Sequence, residues 1–508
     1  MSVELLTDRY QKQIGGVLSC YDRIIMQGTL PKWCYAKGMT DYLYEHQIRI
    51  FDYPKWAEPL RDAIRETMER LAAEGGIEIE FIRSKKKFSQ EKRVKEVLAQ
   101  RGEEPGLVCI LSAMERCGTY KPWHDKKTHQ TYLKPDEGKC LHYYVYFIDP
   151  DLGLCYVRVP TWCPFRLQVY CNGHSYLARQ LSQRQIGYRV LDNAFGWIAD
   201  FERAQKLADN FSVEMVHGKL DEFAERYCAV IQQFGLSYHW SLDQVEFATD
   251  IVFARQADLQ AIYDRLTRAA IHTVKPDNIA TFLGRKLNGH YQDEMGNLFH
   301  TRIEGTRIKH TMGPVSIKMY DKFRLILRIE TTVDNVSFFK HYREVEHQDG
   351  TRRMGWAPMK KTIYSLAPLR ELLLASNRRY LECISAIEDD KAGTGKLNKV
   401  SQPVQENDRR YRGFNFFDLQ DQKLFESLGR GEFNISGFQN RDLRRRLKDR
   451  NSGQISRTMK RLRVHGLIKK VGHTYKYYLT ALGKQVIAVG LKLKELYIIP
   501  TLSARPAC

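Results

Sequence analysis

Apolar positions recur along this chain at two spacings, every second residue and every third or fourth, and their succession sets the elements to expect. Residues 16–30 (GVLSCYDRIIMQGTL) and 77–82 (IEIEFI) suit strands, whereas 53–73 and 91–101 carry the apolar stripe and Glu/Arg spacing of helices. A buried strand is expected over 107–111. This alternation suits a mixed or parallel sheet with covering helices. Residues 120–139 are polar, with Gly and Pro interspersed, and read as a long loop. After them, 140–148 (CLHYYVYFI), the turn Asp149-Pro150-Asp151-Leu152-Gly153 and 154–159 (LCYVRV) predict an antiparallel hairpin. A strand over 165–170, a helix from His174 to Leu181 and helical patterning over 199–233 complete a first region, 1–235.

The second region, 236–398, opens with a strand over 245–253 (VEFATDIVF) that carries Asp250 in its interior. A helix over 257–271 and strands over 306–310, 316–322 (SIKMYDK) and 325–332 (LILRIETT) follow. That order suits an α+β layer of ferredoxin or RNA-recognition type. Period two puts Ser316, Lys318 and Tyr320 on one face, and Arg328 with Glu330 on one face, so polar groups line one side of the sheet. Residues 281–311, rich in Gly, Arg, Lys, His and Asn, read as a substrate-facing loop in which Arg285 and Lys286 meet phosphate. They are no P-loop, because the earlier glycine of that motif is missing. A long helix is expected over 366–387, and 388–410 reads as a linker.

In the third region, 399–508, all signals point to one device. Leu424, Phe425 and Leu428 suit a first helix; Asn440 can cap a second through Leu443 and Leu447; Ile455, Met459 and Leu462 give a third its buried stripe. The third helix then turns Ser456, Arg457, Lys460, Arg461 and Arg463 outward. His465-Gly466 stops it, and two short strands follow around Gly472-His473-Thr474. Helix, turn, helix and basic hairpin make a winged helix, a segment that resembles the winged helix-turn-helix domains of bacterial transcriptional regulators of the multiple-antibiotic-resistance-regulator type. Residues 431–490 hold fourteen Lys or Arg against Glu432, Asp442 and Asp449, so +11 of the chain's +20 lies there. Such a surface suits phosphate, and Arg444, Arg445, Lys469, Lys470, His473 and Lys476 join the helix residues as expected nucleic-acid contacts.

The central pattern, an Asp within a strand followed by S-x-K-x-Y-D-K and L-R-I-E, resembles the core of phage and plasmid replication initiators of the rolling-circle kind. The resemblance implies that Asp250 and Glu330 lie at the reaction centre and hold a divalent metal, Mg²⁺ or Mn²⁺, while Lys322 and Arg328 contact phosphate. Two features depart from that family. CLHYYVYF offers a single histidine where a His-hydrophobic-His strand belongs, and no tyrosine stands out as nucleophile, Tyr320 and Tyr342 being the nearest candidates.

At 508 residues several domains are expected, so the chain reads as a multidomain α+β and α/β protein: a mixed-sheet region, a ferredoxin-like layer and a winged helix. No stretch approaches 18 uncharged apolar residues and the N-terminus lacks a signal-type run, which predicts a cytoplasmic protein with no membrane association. Eleven scattered cysteines without a C-x-x-C pair read as reduced thiols; Cys117, His124, His129 and Cys140 form the one grouping with zinc-type ligands. Tyr144 and Tyr146 share a face with His142, either as half-buried sheet tyrosines or as stacking platforms for bases. DNA is the expected partner and RNA the alternative. Three functions stay open: a mobile-element protein that nicks or transfers strands, a non-enzymatic regulator or architectural DNA binder, and a protein that holds a structured RNA.

Overall fold

The computed structural model describes residues 4–83, 88–285, 294–302, 305–347, 349–388, 391–499 and 502. Two compact units result, Met1–Glu388 and Asp389–Cys508. In the first, the strands β1 (Ile14–Thr29), β2 (Ile79–Phe81), β3 (Gly106–His124), β4 (Thr131–Asp149), β5 (Gly153–Pro160) and β6 (Leu167–Cys171) come from the N-terminal half. A small hairpin, β7 (Tyr188–Val190) and β8 (Phe195–Ile198), precedes β9 (His239–Phe253), β10 (Met295–Arg302), β11 (Gly305–Met312), β12 (Val315–Lys322) and β13 (Ile326–Val333). Eleven of these strands form one mixed sheet in the order β10-β11-β12-β13-β9-β1-β6-β5-β4-β3-β2, in which β2 and β3 run parallel.

Strand β1 is antiparallel to β6 on one side and to β9 on the other, so the sheet runs unbroken across the boundary expected at 235/236. Strands β10 to β13 form a sequential meander that closes onto β9 after the helix Gln256–Thr273, in place of the split pairing of a ferredoxin-like layer. Residues 120–139 are strand for most of their length, paired from Tyr120↔Pro135 to His124↔Thr131. Most of their side chains are polar and exposed or half-buried, Tyr120 and Leu133 alone entering the main core, while the backbone ladder satisfies the amides. Likewise 295–302 is paired strand, and 391–411 holds the helix Lys391–Ser401 with the pair β16 (Val404–Glu406) and β17 (Arg409–Tyr411).

One face of the sheet carries the main core: the helices Ala36–Glu45, Tyr53–Glu74, Val213–Tyr227, Gln256–Thr273 and Leu366–Glu388 bury Ile24, Met26, Val145, Phe247, Ile317 and Ile329. Two smaller clusters lie on the other face. The helices Gly173–Gln183 and Phe201–Asp209 cover Leu18 and Cys20, and the helix Gln90–Arg101 covers Leu111, Tyr144 and Tyr146. The polar side of the sheet lies between them. A third hairpin, β14 (Lys340–Glu346) with β15 (Arg352–Pro358), pairs only with itself among the described residues.

A bulge in β1 decides what that polar side contains. Register with β9 shifts between Tyr21 and Arg23, leaving Asp22 without a partner in the ladder. Leu18, Cys20 and Asp22 keep one side of the strand, and the extra residue turns the following Ile24 and Met26 to the opposite side, into the main core. The helix Gly173–Gln183 then docks on the bulge, capped by Asn172, whose side-chain oxygen accepts from the His174 and Ser175 amides.

In the second unit, the helices Leu419–Leu428, Gly431–Ser436, Asn440–Arg446 and Ser452–Val464 lead into β18 (Ile468–Lys470) and β19 (Tyr477–Leu479), followed by the helix Ala481–Lys492. Phe425, Leu428, Leu443, Ile455, Leu462 and Leu479 share its core. Asn451 and Gln454 cap the Ser452–Val464 helix reciprocally, and Gly466 ends it with φ +73°.

Docking on the bulge requires a residue without a side chain at position 173, where a Cβ would lie 2.2 Å from the Tyr21 carbonyl oxygen. Gly173→Ala is expected to lower the urea unfolding midpoint by the equivalent of about 1–3 kcal/mol. Gly218→Ala, in an exposed helical position with no atom near the new methyl, should leave it unchanged or raise it by up to about 1 kcal/mol.

Candidate functional site

The polar side of the sheet holds a fully buried guanidinium. Strand β13 presents Arg328 directly across from Asp250 of β9, with Tyr320 of β12 on its other flank. Arg328 Nε and Nη2 donate to the two Asp250 oxygens at 2.6 Å each, and Nη1 donates to Asp22 at 2.8 Å. Nη2 also reaches the Asn193 carbonyl at 2.7 Å. Asp22 accepts further bonds from Asn172 at 3.2 Å and from Asn193 at 3.0 Å.

Burial by itself would raise both aspartates; Arg328 and His174 overcome it, taking Asp250 down to about 2 and Asp22 well below the usual carboxylate range. Burial would depress His174, whereas Cys20, Asp22 and Asp250 push it up. Its Nε2 lies 3.0 Å from Arg328 Nη2 and 3.4 Å from Asp250, and its Nδ1 lies 3.2 Å from Asp22.

Next along the same face, Lys318 donates to Glu330 at 2.7 Å and to Glu246 at 3.3 Å, and the Tyr320 hydroxyl donates to Glu330 at 2.6 Å. Desolvation and the neighbouring Glu330 raise the pKa of Glu246 and Tyr320. Burial would lower Lys318, but its two carboxylates hold it charged. Lys322, pushed down to about 8 by burial and by Arg328, donates to the Asn193 side chain.

Several expected positions therefore differ from what the sequence suggested. Arg328 and Lys322, expected to meet phosphate, are buried on protein acceptors because three strands converge their polar residues there. Asp250 has both oxygens on Arg328. The carboxylates that approach one another are Asp22, Glu246 and Glu330, whose ligand atoms lie within 4.8 Å. An all-oxygen trio suits Mg²⁺ or Mn²⁺ in chemistry. Here, however, the Asp22 oxygens are engaged and the Lys318 ammonium lies between the two glutamates, so an ion fits only if Lys318 withdraws.

Three of these residues were not singled out from sequence: Asp22, Glu246 and Asn193. The first two carried a signal, an acid inside an apolar strand run. Asn193 carried none. Arg285 donates to the Phe338 carbonyl and lies over that ring at 4.6 Å, and Lys286 falls outside the described residues. Cys117, His124, His129 and Cys140 are spread along the β3–β4 hairpin, with Cys117 opposite Gly138 and His124 opposite Thr131, and make no common site. Tyr144 and Tyr146 are buried under the Gln90–Arg101 helix, and the Tyr144 hydroxyl donates to Glu115 at 2.6 Å.

In the second unit, Ser456, Arg457, Arg463, Lys469, Lys470, His473, Arg444 and Arg445 are exposed. Spacing fans Arg463, Ser456, Lys460 and Arg457 from the flank of the apolar stripe Ile455, Met459 and Leu462 round to the side opposite it. Lys460 pairs with Glu406, and Lys476 lies half-buried 5.9 Å from the Tyr478 ring. Arg461 differs from expectation. It turns inward, donating to buried Asp421 at 2.8 and 2.9 Å and lying 3.8 Å over the Phe414 ring.

No protein-family model and no curated protein matches the chain. It is similar, at 8% identity over 63% of this chain and 75% of the other, to a solved rolling circle replication initiator protein from Geobacillus stearothermophilus. The TM-score is 0.17. No described helix is long and apolar enough to cross a membrane.

Removing one partner of the buried cluster strands a charge. Asp250→Asn should cost about 3–5 kcal/mol in urea unfolding at neutral pH. Both aspartates titrate lower folded than in the unfolded chain, where Asp lies near 3.9. Their contribution is accordingly complete above about pH 4 and is lost as pH falls toward the folded values, about 2 for Asp250. Acid unfolding of the wild type should show that loss, and Asp250→Asn should flatten it.

Proposed function

We propose that Asp389–Cys508 is a winged helix that grips duplex DNA. The observation that carries this reading is the helix Ser452–Val464, whose buried side is wholly apolar and whose exposed side carries Ser456, Arg457 and Arg463, with Lys460 half-buried beside them and paired with Glu406. A recognition helix has that division, because backbone phosphates supply most of the affinity and need cations free of protein partners. The hairpin β18–β19 adds Lys469, Lys470 and Lys476 as the wing. Within this reading the first unit is a scaffold, and the protein is a sequence-selective DNA binder of a phage or mobile element, or a regulator.

The acidic trio favours a second, catalytic reading. Metal-dependent nicking would use Glu246, Glu330 and Asp22 to hold Mg²⁺ or Mn²⁺ in exchange for Lys318, with the Tyr320 oxygen attacking a backbone phosphorus as the P–O bond to one deoxyribose oxygen breaks and that released oxygen takes up the proton Tyr320 gives away. Supercoiled plasmid incubated with wild-type protein and either ion should become nicked, and Glu330→Gln should stop it. Intact plasmid with the wild type removes this reading and leaves the first in place.

For duplex binding, Arg457→Ala and Arg463→Ala should each weaken affinity and reduce the slope of log K against log salt by about 0.9 for each phosphate that is no longer neutralised. Arg461→Ala is expected to behave differently, lowering the melting temperature because it leaves Asp421 buried without its cation. Salt slopes unchanged in both surface variants would mean that the stripe meets no phosphate.

A further inference from the structure

Hairpin β14–β15 exposes two aromatic rings that its unit does not cover. Tyr342 stands directly across from Trp356, with ring centroids 6.0 Å apart. Trp356 is 71% exposed, more than any other described tryptophan, and Tyr342 and Met354 are each 56% exposed. Alternation sends His341, Arg343 and Ala357 to the opposite side, where they are half-buried or buried, so the aromatic side is the one that faces solvent.

The chemistry around the pair narrows the partner. Residues 340–361 contain Lys340, Arg343, Arg352, Arg353, Lys360 and Lys361 against Glu344, Glu346 and Asp349, a net +3. On the aromatic side Lys340 and Arg352 share the face with Glu344 and Glu346, Arg352 being held by Glu346 at 3.6 Å; Arg353 stands on the opposite side, and Lys360 and Lys361 are exposed just past the end of β15. A protein partner would need far more surface, since a stable interface buries about 800 Å² on each side and a seven-residue two-stranded ribbon offers roughly a third of that. Bases need much less. Any unpaired base offers a π-face, and stacking on one aromatic side chain is worth about 1–3 kcal/mol.

We infer that this hairpin is a stacking platform for single-stranded DNA, with unpaired bases on Trp356 and Tyr342 and the backbone led by the flanking cations. The choice of DNA over RNA rests on the duplex reading of the second unit; the stacking itself does not. Cross-strand aromatic pairs also steady hairpins, so the informative variant keeps an apolar pair and removes the rings.

The test uses the full chain and a fluorescein-labelled oligo-dT of about twenty nucleotides, followed by anisotropy. The Tyr342→Leu/Trp356→Leu double variant should bind it at least tenfold more weakly with the salt slope unchanged, and Tyr342→Phe/Trp356→Phe should restore binding. Wild-type affinity in the leucine variant would overturn the inference, as would failure of the phenylalanine variant to rescue. Oligo-rU that competes better than oligo-dT would overturn the choice of DNA. Self-association abolished in the leucine variant with oligonucleotide binding unchanged would mark the face as a protein interface and also overturn it. Loss of oligo-dT affinity beside failed duplex binding would keep this inference and remove the winged-helix reading, so the two fail separately.

Discussion

One guanidinium joins the halves of the sheet. Arg328 ties β13 to Asp250 of β9 and to Asp22 of β1, and through the Asn193 carbonyl to the segment before β8. A charge with no exposure survives only when its donors find acceptors, and each acceptor here comes from a different stretch of chain. The constraint acts on register. Sliding β13 by one residue against β9 would move Arg328 into the apolar core beneath and bring Ile329 to the polar side. Hydrophobic alternation would permit several pairings of long strands, whereas this ion cluster permits one.

The same demand explains the bulge and the close docking of the His174 helix. Asp22 meets Arg328 on the side of Leu18 and Cys20 while the extra residue in β1 returns Ile24 and Met26 to the core, and the helix can approach because Gly173 has no side chain. Asn172 serves both needs, capping the helix with its oxygen and donating to Asp22 with its nitrogen. Backbone irregularity, helix capping and charge pairing thus depend on one another within a few residues. Beside this cluster lie Lys318, Glu246 and Glu330, where one ammonium faces two carboxylates and where Lys318 and Glu246 are less enclosed than Arg328.

The second unit solves a smaller problem by different means. Its core is a set of apolar residues from short helices, and nearly all its cations point outward because the helices are thin and the core needs only one side of each. Arg461 is the exception that shows the rule's limit. Asp421 and the Phe414 ring draw its guanidinium inward, the carboxylate accepting from it and the ring lying beneath it.

Much of the molecule was legible in its sequence, in particular the helices over 53–74, 366–388 and 452–464, the hairpin after Asp149, and the placing of Lys318, Tyr320, Arg328 and Glu330 on one face. These follow from periodicity, which is local. The long hairpin through 120–139 was not legible, because polar side chains hid a ladder made by the backbone. Nor was the buried state of Arg328 and Lys322, since whether a cation meets solvent or an aspartate 306 residues away in the chain is decided by strand neighbours. The sequence by itself determined which side of each strand and helix is polar. Only the tertiary structure decided which polar sides close on one another and which stay open, because that depends on register and on the bulge at Asp22, neither of which is written in any short stretch of chain.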